Sequence, residues 1–270
     1  MKKILFTDLD GTLLNNASQI SGEMKKALNT MTSQGHYLVL SSGRPLDSIL
    51  EVKNLAKIHY PNVYIIANNG SIIYQCDTKQ IIKEHRVSLK DVQKVWNLAK
   101  EHQIHVQTYT ANEIISANED EEIQYYRRRI HLPLILSDDP LSILKQPPHK
   151  MLLIDLYDHD RIAKFQALLE SEFSNRLQTV FSNPYYLEVF SKDAGKGNGL
   201  RYLCHYLNIP ITDSIAAGDA QNDLSMLKAT GLSVAMCNGD DFIKQQADVV
   251  TVRSNEECGL ADIIYEYIVK

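Results

Sequence analysis

The stretch Lys3-Ile4-Leu5-Phe6-Thr7-Asp8-Leu9-Asp10-Gly11-Thr12 decides the fold. Lys3 to Thr7 reads as a short buried strand, Asp10-Gly11 as the turn that follows it, and Ser21 to Ser33 as a helix. The unit then repeats. His36 to Ser41 is a second apolar run, Gly43-Arg44-Pro45 a turn with proline at the first helical position, and Asp47 to Lys57 a helix, before a third strand from Val63 to Ala67. Near the C-terminus the alternation returns: helix Lys196 to Leu207, strand Ser214 to Ala217, helix Asn222 to Ala229, strand Leu232 to Ala235, helix Gly259 to Val269. Strands alternating with helices of this length imply parallel βαβ units, hence an α/β fold with a doubly wound, Rossmann-like parallel-sheet core.

Between these halves the texture changes. From Glu84 to Leu187 two helical stretches, Ser88 to His102 and Ile162 to Phe173, stand among alternating strands and the cluster Gln146-Pro147-Pro148. This predicts an inserted α+β domain over 84–187, between core segments 1–83 and 188–270. It contains the run Arg127-Arg128-Arg129 beside Tyr125 and Tyr126, which reads as a solvated helix face; Tyr125, Arg127 and His131 are candidate substrate contacts.

Composition narrows the chemistry. The 270 residues are 44% apolar and 23% charged, enough for a full core, and the net charge of −5 is spread without a basic tail, so no nucleic-acid partner is expected. Cys76, Cys204, Cys237 and Cys258 form no C-x-x-C pair, which argues against zinc and disulfides and for a reducing compartment. His102 and His105 are the one close pair among nine histidines and lack a third ligand at suitable spacing. Asp8 and Asp10 interrupt the first apolar run well short of a signal peptide, and no segment reaches the roughly 18 apolar residues of a membrane span. A cytoplasmic protein without a membrane partner is expected.

In a doubly wound sheet ligands collect outside the carboxyl ends of the strands. Asp8 and Asp10 leave such an end together, where one can attack and the other manage a proton; Asp-Gly is also a common turn. Ser41-Ser42-Gly43-Arg44 offers a hydroxyl and free N–H groups at a helix start, although a serine there can be only a cap. Lys196, between Gly195 and Gly197, could neutralise a bound phosphate, with Lys192 as a rival. Gly218-Asp219-Ala220-Gln221-Asn222-Asp223 supplies Asp219 as an oxygen ligand for magnesium, with Asn222 and Asp223 to orient what is bound.

The strings Asp8-x-Asp10-Gly11-Thr12, Ser42-Gly43-Arg44, Lys196-Gly197 and Gly218-Asp219-x-x-Asn222-Asp223 resemble the four ordered motifs of the haloacid dehalogenase superfamily. The resemblance is closest to its Cof-type sugar-phosphatase branch, which carries a large α/β cap between the second and third motifs. Asn69-Gly70, Val234-Ala235-Met236-x-Asn238, Ala247-Asp248 and the tail from Asn255 through Gly259-Leu260-Ala261 are similar to that branch as well. Ser42 stands where threonine is usual, Ser71 where alanine is, and Cys258 where an acidic residue is common.

The resemblance implies a magnesium-dependent phosphatase acting on a small phosphorylated metabolite, usually a sugar phosphate, through an aspartyl-phosphate. Asp8 would be nucleophile and metal ligand. Asp10 would be general acid and then base, giving its backbone carbonyl to the metal, and Asp219 would be the other carboxylate ligand. Leu9 and Gly43 through their backbone, with Ser42, Lys196 and Asn222, would hold phosphate; Thr12, Arg44 and Asp223 would support them. A monomer or small homo-oligomer is expected. A phosphosugar mutase on the same core and a non-catalytic phosphometabolite-binding protein are the alternatives, separable by measuring free phosphate against isomerised sugar phosphate.

Overall fold

The computed structural model of the chain describes residues 2–110, 112–128, 130 and 132–269. Arg129 and His131 therefore lie outside the described residues. The chain divides into two compact units, Met1–Glu84 with Ala194–Lys270, and His85–Asp193.

The first segment of unit one runs β1 (Ile4–Thr7), α1 (Gly22–Ser33), β2 (Tyr37–Ser41), α2 (Leu46–Leu55), β3 (Val63–Ala67), β4 (Ile72–Gln75) and β5 (Gln80–Glu84). Unit two follows with α3 (Leu89–Glu101), β6 (His105–Tyr109), β7 (Ile114–Ser116), α4 (Glu121–Arg127), β8 (Leu134–Leu136), β9 (Lys150–Ile154), α5 (His159–Phe173), β10 (Leu177–Asn183) and β11 (Tyr186–Ser191). The chain returns to unit one through α6 (Lys196–Tyr206), β12 (Ser214–Gly218), α7 (Leu224–Leu227), β13 (Leu232–Ala235), α8 (Asp241–Lys244), β14 (Val249–Val250) and α9 (Gly259–Tyr267).

The sheet of unit one has the order β14-β13-β12-β1-β2-β3-β4-β5. Pairing is parallel from β14 to β3, and antiparallel where β4 and β5 extend the edge. Its central strands are apolar on both faces because both faces are covered. Leu5, Leu38, Leu40, Ile65 and Ile215 pack with Met24, Leu28, Ile49 and Leu260 from α1, α2 and α9, while Phe6, Val39, Ile66 and Ala216 pack with Leu200, Leu203 and Met226 from α6 and α7. α1 is a helix for local reasons too: Met24, Ala27, Leu28 and Met31 recur at helical spacing, and the Ser21 hydroxyl accepts from the Met24 N–H at 3.1 Å.

Unit two is a six-stranded sheet of order β10-β11-β9-β6-β7-β8. Val95, Trp96, Phe165 and Leu169 from α3 and α5 bury one face with Val106, Leu153 and Val189. The boundary expected at 187 falls inside β11, which is hydrogen-bonded to both β9 and β10 and therefore goes with this sheet. Arg127 ends α4 as an exposed residue, and Tyr125 lies edge-on to Tyr185 and Tyr186. His105 is a satisfied core histidine, hydrogen-bonded to Asp120 at 2.8 Å and Gln107 at 3.1 Å. Among the described residues no helix is long and apolar enough to cross a membrane.

Candidate active site

Parallel pairing of β1 with β12 and β2 brings three strand ends side by side, so that Asp8, Ser42 and Asp219 leave neighbouring strands at one edge. Asp8 is nearly buried and is tied to β12 by its N–H, which donates to the Ala217 carbonyl at 3.0 Å. Lys196 opens α6 directly after Gly195 and is 1% exposed. Its ammonium donates to Asp8 Oδ1 and to Asp223 Oδ1, each at 2.6 Å. The rival Lys192 is exposed.

Asp223 does more than its place in the sequence suggested. Its other oxygen, Oδ2, accepts from the Asp219 N–H at 3.1 Å and the Ala220 N–H at 3.2 Å, closing the Gln221–Asp223 turn and fixing the peptide that carries Asp219. Asn222 sits in that turn, half-buried. Thr12 Oγ1 donates to Asp219 Oδ1 at 2.8 Å. Gly11 has φ +79°, and a Cβ there would lie 2.4 Å from Asp219 Oδ2, so the first loop can pass the carboxylate only as glycine. The Gly11 carbonyl accepts from Asn238 Nδ2 at 2.8 Å, which gives that asparagine a role in holding the turn.

Asp10 stands apart from this buried group. Its carboxylate is half exposed and held by Arg44 through two bonds, Nε to Oδ2 at 2.7 Å and Nη2 to Oδ1 at 2.5 Å. Ser42 is buried, with its hydroxyl accepting from the Arg44 N–H at 3.2 Å, and Leu9 is buried in the core. The Asp10–Arg44 pair was not visible in the sequence, because nothing in the spacing says that two loops 34 residues apart meet.

The electrostatics define what the site can hold. Oxygens of Asp8, Asp219 and Asp223 lie within 4.8 Å of one another, and the sole cation bonded to them among the described residues is Lys196. Burial, then repulsion from Asp223, Asp219 and Asp10, holds the Asp8 carboxyl well above its ordinary range despite the attraction of Lys196. Burial and Asp223 push Asp219 up to about 7 against the Thr12 hydrogen bond and Lys196. Burial opposes the Lys196 charge, but Asp223 and Asp8 outweigh it and hold the ammonium protonated beyond its usual range. Three carboxylates, Asp8 and Asp223 buried and Asp219 half-buried, are undercompensated by one ammonium, and hard oxygen donors in that state suit a divalent cation such as Mg2+. The residues present therefore fit the metal: Asp8 and Asp219 have oxygens to give, whereas both oxygens of Asp223 are already engaged.

The topology is that of a doubly wound α/β protein, with a carboxylate, a buried lysine and an acidic loop gathered at the strand ends where such folds bind their ligands. A family profile described as haloacid dehalogenase-like hydrolase matches residues 5–264, and the chain belongs to that enzyme family. It is 28% identical to a phosphatase of Bacillus subtilis, over 97% of this chain and 98% of the relative. It is 27% identical to the 5-amino-6-(5-phospho-D-ribitylamino)uracil phosphatase of the same organism, over 98% of this chain and 96% of the relative. Among solved structures it resembles a haloacid dehalogenase-like hydrolase from Bacteroides thetaiotaomicron, with a TM-score of 0.85, 28% identity and coverage of 98% of this chain and 99% of the other.

Proposed function

We propose that this hydrolase is a magnesium-dependent phosphatase that removes phosphate from small phosphorylated metabolites, sugar phosphates first among them, through a phosphoryl group carried on Asp8. The observation that supports this most is Lys196, buried and bonded at 2.6 Å to both Asp8 and Asp223, with an oxygen of Asp219 within 4.8 Å. Asp8 is thereby poised beside a buried cation that can meet an incoming phosphate.

On this reading an oxygen of Asp8 attacks phosphorus and the bond to the leaving oxygen breaks. Asp10 gives that oxygen a proton, then takes one from the water that opens the acyl phosphate and returns Asp8 as carboxylate. Asp8, the Asp10 carbonyl and Asp219 would hold Mg2+, which would supply charge neutralisation for two anions brought together. Ser42, the Gly43 and Leu9 backbone, Lys196 and Asn222 hold the phosphoryl oxygens, while Thr12, Arg44 and Asp223 keep Asp219, Asp10 and Lys196 in place. Because the transition state is loose, positioning and charge carry most of the rate. The His85–Asp193 unit is assigned the choice of substrate. Four free cysteines support a reducing, cytoplasmic compartment.

The test is phosphate release from a panel of phosphorylated metabolites, with and without Mg2+. Turnover of several members only when Mg2+ is present supports the reading. Isomerised sugar phosphate without free phosphate would instead indicate a mutase.

A further inference from the structure

Four buried side-chain polar atoms lack a hydrogen-bond partner among the described residues: Ser41 Oγ, Trp96 Nε1, and both Oδ1 and Nδ2 of Asn69. Three of the four are carried by residues flanking one feature, the Ser42–Gly43 turn. Asn69 is 1% exposed, and its carboxamide lies close to Gly43: a Cβ on that glycine would stand 3.1 Å from Oδ1 and 3.3 Å from Nδ2. A carboxamide with neither its donors nor its acceptor used is costly in a protein interior.

The backbone around Asn69 ties it to both sides of the candidate site. The Asn69 N–H donates to the Ser42 carbonyl at 3.1 Å, and the Asn68 N–H to the Arg44 carbonyl at 3.0 Å. The next residue, Gly70, has φ +91° and packs so closely on the chain before Lys196 that a Cβ would lie 2.3 Å from the Gly195 carbonyl oxygen. Asn68 and Asn69 are themselves left-handed, with φ 48° and 53°. One short segment, Asn68–Gly70, thus spans the distance between the Ser42–Gly43 turn and the start of α6.

The geometry points to Asn69 as a positioning residue for the phosphate pocket, its carboxamide setting the Ser42–Gly43 turn for a bound phosphoryl group and finding its own hydrogen-bond partners when that group is in place. This rests on the phosphatase reading above and adds a residue to it. The empty site carries the cost of an unpartnered amide, and the filled site does not; the difference appears as affinity for phosphate.

The variant Asn69→Gly tests this, because glycine accepts φ 53° without strain while the substitution removes the side chain that carries the carboxamide. Expected results are a melting temperature without ligand equal to or above that of the parent, a Ki for inorganic phosphate raised about tenfold, and a smaller thermal shift with phosphate and Mg2+. KM for an aryl phosphate should rise by a similar factor with kcat within about threefold. A merely structural Asn69 would give the reverse, a lower melting temperature with an unchanged Ki. Either that pattern or a variant that does not fold overturns the inference. Failure of the phosphatase reading is separate: the parent protein itself would release no phosphate from any ester and show no thermal shift with phosphate.

Discussion

With its ammonium 2.6 Å from two carboxylates and almost no exposure, Lys196 is placed where removing one charge unbalances three others. Replacing it by methionine leaves Asp8 and Asp223 facing each other without their shared partner. The expected result for Lys196→Met is a loss of roughly 3–5 kcal/mol in urea unfolding, the usual cost of orphaning a buried charge, together with loss of Mg2+-dependent turnover. Gly11→Ala attacks the same site sterically, since its Cβ would sit 2.4 Å from Asp219 Oδ2. Titration calorimetry should show Mg2+ binding weakened at least about tenfold in that variant. Asp8, Asp10, Asp219 and Lys196 were legible in the sequence because each follows a strand or opens a helix in a recognisable string. The double duty of Asp223, the Arg44 grip on Asp10 and the unpartnered Asn69 were not, because each exists only once distant loops are brought together.

The central strands were legible as elements for a related reason: buried on both faces, they read as unbroken apolar runs. β4 and β5 do not stand out in the sequence because Ile72–Gln75 and Gln80–Glu84 are short and half polar, and β5, the outermost strand, is largely exposed to water. The helix expected over Asn222 to Ala229 is shorter, Leu224–Leu227, since Asp223 spends its side chain closing the turn ahead of it. Where α1 hands over to β2, buried His36 accepts the Lys3 N–H on Nδ1 at 2.9 Å. That bond requires a neutral ring, and burial, then the charges of Lys3, the N-terminus and Lys2, hold its pKa below the usual 6.5. The unfolded chain therefore binds the proton more readily than the folded one. Stability from this residue is complete above about pH 6.5 and is lost as pH falls through the folded value. Melting temperatures from pH 7.5 down to 5 should fall more steeply for the parent protein than for His36→Gln; equal slopes would contradict this account.

At the scale of the molecule, two units with separate cores share one chain, and the candidate metal ligands all belong to Met1–Glu84 with Ala194–Lys270. A ligand present at a hundred times its dissociation constant stabilises what it binds by about 2.7 kcal/mol. Mg2+ should therefore slow amide exchange in β1, β12 and α6 and leave α3 and α5 unchanged; equal protection of both units would count against a metal confined to the first. The insertion was legible from the change in texture near Glu84, but its far edge was not, because β11 belongs by hydrogen bonding to a sheet whose other strands begin as far back as His105. The claim on which the rest depends is that Asp8 receives the phosphoryl group. The most direct measurement is to quench the Mg2+-loaded protein in acid during turnover of a phosphate ester, reduce it with borohydride, and map the peptides by mass spectrometry. Homoserine, the reduction product of an aspartyl-phosphate, is expected at position 8, with Asp10, Asp219 and Asp223 unmodified. Rapid turnover with Asp8 unmodified, or with the mark on another residue, would contradict it.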